Sequence, residues 1–387
     1  MVQFAHFSDT HLGARQYNLA EREQDFYESF QETIDKILEE RVDFVLHAGD
    51  LFEHNRPKVE ALFEAQKGFL KLQKKGIPVY VIPGNHDLRV RRKVIPPQSL
   101  YQNIGVKVLG GKKRHVVLND HNLFLGGIPY FPRYYSEQLK EDLSKIAQQA
   151  KEEYKYRILM LHQGLQSHLP YEQAYELKLT DIPKNFHYYA MGHVHRRIIE
   201  NYGEGKLSFP GSADIWRADE IHDFKEKGKG FNLVDLSGDE PDIQFINIET
   251  IRHFEYYKIQ VEKFQKELEK MIEKIKTITK TTPKKPMVKC VVEGKMEYDN
   301  AYYATKIKGA IDELAFHSRI EFNPEIEGVK LEKMQVFNLR EILNQLWDDD
   351  ESMVNFTEEL FNLLKEKNID QAVKTAEKFY QGWKNDS

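Results

Sequence analysis

Apolar residues cluster in short runs at positions 2–7, 44–47, 79–82, 123–128, 158–161 and 188–191, with longer mixed segments between them. Runs this short, separated by helical periodicity, predict buried strands rather than core helices. Between the first two runs, Phe26, Phe30, Ile34 and Ile37 repeat at helical spacing, and Asn18 with Glu21 offers a start signal for that helix. Strand, helix, strand in this order predicts an α/β layer fold whose strand ends are free to carry a site.

The pattern changes around Ser237-Gly238-Asp239-Glu240-Pro241, where turn residues precede a Lys- and Glu-rich stretch. A second, smaller unit is expected from about residue 247, with strands at 256–261 and 287–292, helices at 263–276 and 301–315, and an exposed loop at 280–286. From about residue 338 the chain predicts three consecutive helices. Their apolar stripes are Leu339, Ile342, Leu343, Leu346 and Trp347; Phe356, Leu360, Leu363 and Leu364; and Ala372, Val373, Ala376, Phe379, Tyr380 and Trp383. Packing within the chain is one use for stripes so aromatic; a groove on a partner protein is another.

Composition narrows the setting. The 387 residues are 41% hydrophobic and 30% charged, and no run approaches the ~20 apolar residues of a membrane span. The strand-like start at Val2 leaves no room for a signal peptide, and the single cysteine, Cys290, excludes an intramolecular disulfide and a thiolate cluster. A soluble, cytoplasmic protein is expected. A net charge of −5 excludes coating of nucleic acid through overall positive charge, so any such contact must be local. Arg89, Arg91, Arg92 and Lys93 are the best-placed basic cluster, whereas Lys112, Lys113 and Arg114 suit a solvated turn.

The candidate chemistry follows the strands. Asp9-Thr10-His11, Gly49-Asp50, Gly84-Asn85-His86-Asp87, His162, and Gly192-His193-Val194-His195 each directly follow an apolar run. Carboxylates, imidazoles and an asparagine carbonyl without thiolate suit manganese, iron or zinc ions, and one carboxylate such as Asp50 can bridge two of them. Paired ions of this kind hydrolyse phosphoesters. In an extended segment side chains i and i+2 point to one side, so Asp9 with His11, and His193 with His195, are expected to reach one cluster. The glycines before Asp50, Asn85 and His193 allow sharp turns and close approach. Each motif alone is weak; five in order, all at strand ends, are strong. His6 and His47 sit inside strands and are expected to orient ligands. His115, His121, His168, His187, His222, His253 and His317 show no partner pattern.

The set resembles the calcineurin-like metallophosphoesterase superfamily, whose pattern runs D-x-H, G-D, G-N-H-[DE], a histidine, then G-H-x-H over residues 1–215. It is more closely similar to the archaeal nucleases of the meiotic-recombination-eleven type. The supporting stretches are Ser8 to Gly13, His47 to Phe52, Leu159 to Gly164, Tyr188 to Arg197, Pro210-Gly211-Ser212 and Lys229-Gly230-Phe231. The resemblance implies a four-layer sandwich of two mixed sheets flanked by helices. It further implies a nuclease domain at 1–246, an α+β DNA-binding capping domain at 247–325, and a linker with C-terminal helices at 326–387.

It also implies two manganese ions per subunit, one held by Asp9, His11, Asp50 and His195, the other by Asp50, Asn85, His162 and His193. His86 would donate a proton or hydrogen bond at the leaving oxygen. Many relatives carry a histidine after Gly-Asp-Leu-Phe; here Glu53 takes that place and His54 follows, adding negative charge near incoming phosphates. Arg15, Arg196 and Arg197 flank ligands and join Arg89, Arg91 and Arg92 as candidate DNA contacts. The family's partners would be DNA, a second copy of the chain through nuclease-domain helices such as 58–74, and an SMC-like ABC-type ATPase bound by the C-terminal helices. Three functions are compatible: a manganese-dependent nuclease acting on DNA ends in double-strand-break repair, a phosphatase or cyclic phosphodiesterase for a small phosphoester, and a scaffold without activity.

Overall fold

The computed structural model describes residues 2–88, 95–169, 174–324, 340, 343, 350–365 and 369–386. It separates into two compact units, Met1–Pro324 and Glu325–Ser387.

One six-stranded sheet of the first unit contains β1 (Gln3–Phe7), β2 (Phe44–His47), β3 (Val79–Val81) and β4 (Val106–Val108), all parallel. Beside β1 the chain later adds β11 (Gly230–Asp235) and β12 (Asp242–Asn247), both antiparallel to their neighbours. The second sheet holds β5 (His115–Leu118), β6 (Leu123–Ile128), β7 (Tyr156–His162), β8 (Tyr188–Gly192), β9 (Ile198–Tyr202) and β10 (Gly205–Phe209). Its order is β5-β6-β7-β8-β10-β9, parallel in the middle and antiparallel at both edges.

The two sheets pack face to face. Phe4, Phe44, Leu46 and Tyr80 from the first meet Leu125, Ile158, Met160 and Tyr188 from the second in one dry core. Alternation along the strands sends the intervening residues outward. Ala5, Phe7, Val45 and Val81 meet Phe30, Ile34 and Phe69 of the helices α1 (Ala20–Glu39) and α2 (Val59–Lys74). Leu159, Leu161 and Met191 meet Leu139, Leu143 and Ile146 of α3 (Ser136–Gln149). The result is the expected four-layer sandwich, and burial on both faces explains why its central strands read as continuous apolar runs. The start of α1 differs from expectation. Asn18 lies in a short 3-10 turn at φ 61°, and the capping position falls to Leu19, without a side-chain cap.

After α4 (Glu220–Lys227), the region expected as a smaller α+β unit lies within the first compact unit and alternates parallel strands with helices. It contains β13 (Phe254–Gln260), α5 (Phe264–Thr281), β14 (Met287–Gly294), α6 (Asn300–Ile311) and β15 (His317–Pro324). In the C-terminal unit, α7 (Glu351–Lys365) and α8 (Ile369–Asp386) pair through Phe356 and Phe379, whose rings stack at 3.9 Å. Most of the first C-terminal stripe lies outside the described residues.

A buried ion network ties α1 to the segment after β10 and to Arg252 and Lys284, which precede β13 and β14. The fully buried Arg22 guanidinium donates to Asp25 (2.7 Å), Asp214 (2.8 Å), the Ile215 carbonyl (3.0 Å) and Gln16 (2.9 Å). Asp25 also accepts from Arg252 (2.6 and 3.0 Å) and Lys284 (2.9 Å). Burial pushes the Asp214 carboxyl up, which Arg22 opposes. Arg22→Met should therefore destabilise the chain by about 3–5 kcal/mol, because it strands the buried Asp214 carboxylate without its cation and removes one of three cations from Asp25. Urea unfolding followed by circular dichroism measures this, and a loss below 1 kcal/mol, of the order of an exposed pair, would contradict it.

Candidate metal centre

The motif loops leave the ends of β1, β2, β3, β7 and β8 on one side of the sandwich. Main-chain bonds zip the first two together: Asp9 N–H to Gly49 O (3.0 Å), His11 N–H to Asp50 O (3.1 Å) and Leu12 N–H to Leu51 O (2.9 Å). Asp87 fastens the third loop to the second by accepting amide N–H groups from Gly84, Phe52 and Leu51. Burial, and then the Asp50 charge, push its carboxyl up to about 6.

The nominated side chains converge, but not by strand alternation. Asp9 (φ 53°), His11 (φ 45°), Asp50 (φ 53°) and His193 (φ 86°) all adopt the left-handed conformation. Such backbone is costly for residues with a Cβ and gathers where surrounding bonds over-determine it. The expectation that Asp9/His11 and His193/His195 lie in extended segments is therefore wrong, although both pairs do turn inward. Gly49 supplies φ 97°, and a Cβ on Gly84 would lie 2.1 Å from Asp50 Oδ1.

Among the described residues, three groups of candidate ligands result: Asp9, His11 and His195; Asp50, His162 and His193; and His11, Glu53 and His86, which shares His11 with the first. In the first, His11 Nε2 and His195 Nε2 are 3.2 Å apart, with Asp9 Oδ1 3.9 Å from His195 Nε2. In the second, His162 Nε2 is 3.2 Å from both Asp50 Oδ2 and Asn85 Oδ1, and Asn85 Oδ1 is 2.9 Å from His193 Nδ1. Asp50 joins the clusters, since its Oδ2 also lies 4.0 Å from His11 Nε2. Its Oδ1 accepts the His86 amide at 2.8 Å.

Outer partners fix which ring nitrogen faces inward. Carboxylate and carbonyl oxygens only accept hydrogen bonds, so a ring nitrogen beside one carries hydrogen, and in the neutral imidazole the other nitrogen is left with a lone pair for a cation. Nδ1 of His11 lies 2.9 Å from Glu53 Oε2, Nδ1 of His195 2.9 Å from Glu220 Oε1, and Nδ1 of His162 2.7 Å from Ala48 O. His47 contacts Thr10, between the two first-loop ligand candidates, at 3.2 Å, and His6 contacts Tyr188 at 2.9 Å. Burial pushes both these histidines down to about 3, so they are neutral.

The donor set fits divalent cations. Two imidazole nitrogens about 2.1 Å from one ion, at roughly a right angle, are about 3.0 Å apart, close to the observed separation of His11 and His195. In the second cluster, burial works against charge on His162, yet Asp50 and Asp9 outweigh it and carry its pKa up to about 9. Oxygens that favour a proton on that nitrogen so strongly would equally favour a cation beside it. Burial would raise the Asp50 carboxyl, but His162, His11 and His86 hold it well below the usual carboxylate range.

A family model, "Calcineurin-like phosphoesterase", matches residues 2–197. Three archaeal relatives carry the name "DNA double-strand break repair protein Mre11". That of Methanococcus maripaludis is 38% identical, covering 95% of this chain and 96% of the relative. That of Sulfolobus acidocaldarius is 35% identical over 96% and 98%, and that of Methanocaldococcus jannaschii 41% over 71% and 73%. The chain is a calcineurin-like phosphoesterase of the Mre11 family. Such a phosphoesterase is a hydrolase dependent on divalent metal.

In this phosphoesterase a cleft of about 380 Å³ opens over the centre, lined among others by Asn85, His86, His193, Arg196, Trp216 and Arg217. His86 sits edge-on to His11 and is fixed by Nδ1–H donation to Glu53 O at 2.9 Å, and its side chain is 32% exposed. Of the nominated arginines, Arg196 reaches the cleft wall and donates to His168 O at 2.9 Å. Arg197 packs over Phe245 of β12 at 4.0 Å, and neither it nor the exposed Arg15 lines the cleft. Arg89, Arg91 and Arg92 lie outside the described residues. Sequence reasoning passed over Trp216, stacked on His11 at 5.8 Å and 9°, and Glu220, which holds His195. The flanking Ser212 and Lys229 signalled Glu220: both lie in stretches shared with the family, and both bind its Oε2.

Proposed function

We propose that this chain is a manganese-dependent DNA nuclease that processes DNA ends in double-strand-break repair. It cuts phosphodiesters as an exonuclease on double strands and an endonuclease on single strands. The observation that carries this reading is one carboxylate, Asp50, facing both ligand clusters under an open cleft. DNA as substrate is supported by the names of relatives that align along nearly the whole chain.

Asp9, His11, Asp50 and His195 are assigned to one ion, and Asp50, Asn85, His162 and His193 to the other. When bound, the ions supply Lewis acidity at phosphorus and lower the pKa of water. The protein's own groups do the rest. His86, anchored through Nδ1, leaves Nε2 as the ring atom that would protonate the leaving oxygen, a step that requires the imidazolium form. Arg196 and Arg217 offer cations to phosphates along the cleft, and Trp216 offers an aromatic wall.

The assembly is proposed as a homodimer joined through α2, whose Val59 and Phe63 are 77% and 62% exposed. The unit at 247–325 would cap the DNA, and the helices at 326–387 would bind an SMC-like ABC-type ATPase, using apolar surface such as Phe361 and Val373. No described helix is long and apolar enough to cross a membrane. The proposed setting is the cytoplasm, on the nucleoid.

Labelled double- and single-stranded DNA should be assayed beside p-nitrophenyl phosphate with manganese, with magnesium and with EDTA. Manganese-dependent DNA cleavage abolished by EDTA is expected. Hydrolysis of the small monoester without DNA cleavage would assign the site to small phosphoesters instead.

A further inference from the structure

The two ligand clusters are held from behind by different chemistry. Both imidazoles of the His11/His195 cluster donate Nδ1–H to carboxylates, Glu53 and Glu220, at 2.9 Å each. In the His162/His193 cluster, His162 donates to the neutral Ala48 carbonyl, while His193 Nδ1 faces inward to Asn85 Oδ1, a fellow ligand candidate, and no carboxylate stands behind either ring among the described contacts.

The two glutamates are built in rather than incidental. Glu220 is 2% exposed, and its second oxygen accepts from Lys229 (2.7 Å) and Ser212 (2.8 Å), which fix its rotamer. Glu53 is 8% exposed and stands three residues after Asp50, on a loop pinned by its own N–H to Leu12 O at 3.1 Å. A carboxylate behind an imidazole raises its basicity as a ligand and locks the ring, an effect worth about 10–100-fold in metal affinity. A backbone carbonyl locks the ring without adding charge.

We propose that Glu53 and Glu220 make the two metal positions unequal: the His11/His195 position binds its ion first and more tightly, and the His162/His193 position fills second. This rests on the two-ion reading above and adds an order of loading to it. The phosphoesterase would then exist as a stable one-ion form that becomes complete only when divalent metal is plentiful.

Titrating the metal-stripped full chain with manganese, by calorimetry and by the electron paramagnetic resonance of free ion, tests the order. Two separable binding events are expected. Glu53→Gln, which keeps a hydrogen-bond acceptor and removes the charge, should weaken the tighter event by about 10–100-fold and leave the weaker in place. Asn85→Ala should do the reverse. Thermal unfolding in EDTA reports whether each variant is folded. Should Glu53→Gln not fold, Glu53→Asp, with its carboxylate drawn back by one methylene, must still weaken the tighter event alone. Equal affinities in the unaltered chain, or a Glu53 variant that leaves both events alone or shifts the weaker, overturns the proposal. If the unaltered chain binds no manganese, or binds it undiminished after Asp50→Ala, the two-ion reading itself fails.

Discussion

Asp50→Ala is expected to lower phosphodiester cleavage on the order of a thousandfold or more, about 4 kcal/mol in the barrier, and to strip bound metal from the chain. The size follows from position. Asp50 is 2% exposed, and its Oδ2 faces His162 Nε2 at 3.2 Å and His11 Nε2 at 4.0 Å, so both clusters lose the same negative charge at once. Its Oδ1 accepts the His86 amide, so the loop carrying the proposed acid also loses an anchor. Asp50→Asn separates the two effects. It keeps an acceptor for that amide, removes the charge, and should be nearly as inactive while unfolding at a similar temperature. Metal content by mass spectrometry and cleavage of labelled DNA in manganese are the measurements. Undiminished cleavage by Asp50→Ala in a clean preparation would make the chain a scaffold rather than an enzyme.

How much of this centre is legible in the residues depends on what each contributes. The ligand candidates are visible because their functional groups are rare at the ends of apolar runs, and burial on both sheet faces makes β2, β7 and β8 unmistakable as such runs. The path by which they meet is not visible. Left-handed backbone at Asp9, His11, Asp50 and His193 depends on hydrogen bonds between loops some forty or more residues apart in sequence, and no local propensity encodes it. Edge strands are harder still: β15 reads His-Ser-Arg-Ile-Glu-Phe-Asn-Pro, where only Ile320 and Phe322 pack against the core. Arg196 and Arg197 look alike as neighbours of His195, yet consecutive side chains near a strand point to opposite sides, and only Arg196 reaches the cleft. Glu53, noted for departing from the family's usual histidine, acquires a role only once its carboxylate is seen behind His11.

His86→Gln should reduce kcat on DNA by about 10²–10⁴-fold, the ordinary contribution of a positioned acid, with both manganese ions retained. The prediction separates proton donation from ligation, which the geometry makes necessary. Nδ1–H of His86 is committed to Glu53 O, and its ring stands edge-on to His11, so the residue is close enough to the centre to be mistaken for a ligand. An acid matters in proportion to the basicity of the leaving oxygen. A sugar alkoxide needs its proton, whereas p-nitrophenolate departs readily without one. The loss on bis(p-nitrophenyl) phosphate should therefore be far smaller than on DNA, and the KM for DNA should barely move, because the substrate is held by other groups. Equal losses on both substrates, accompanied by a missing ion, would turn His86 from acid into ligand. Equal losses with both ions present would leave it as a group that only positions the Asn85 loop, and the proton would have to come from solvent.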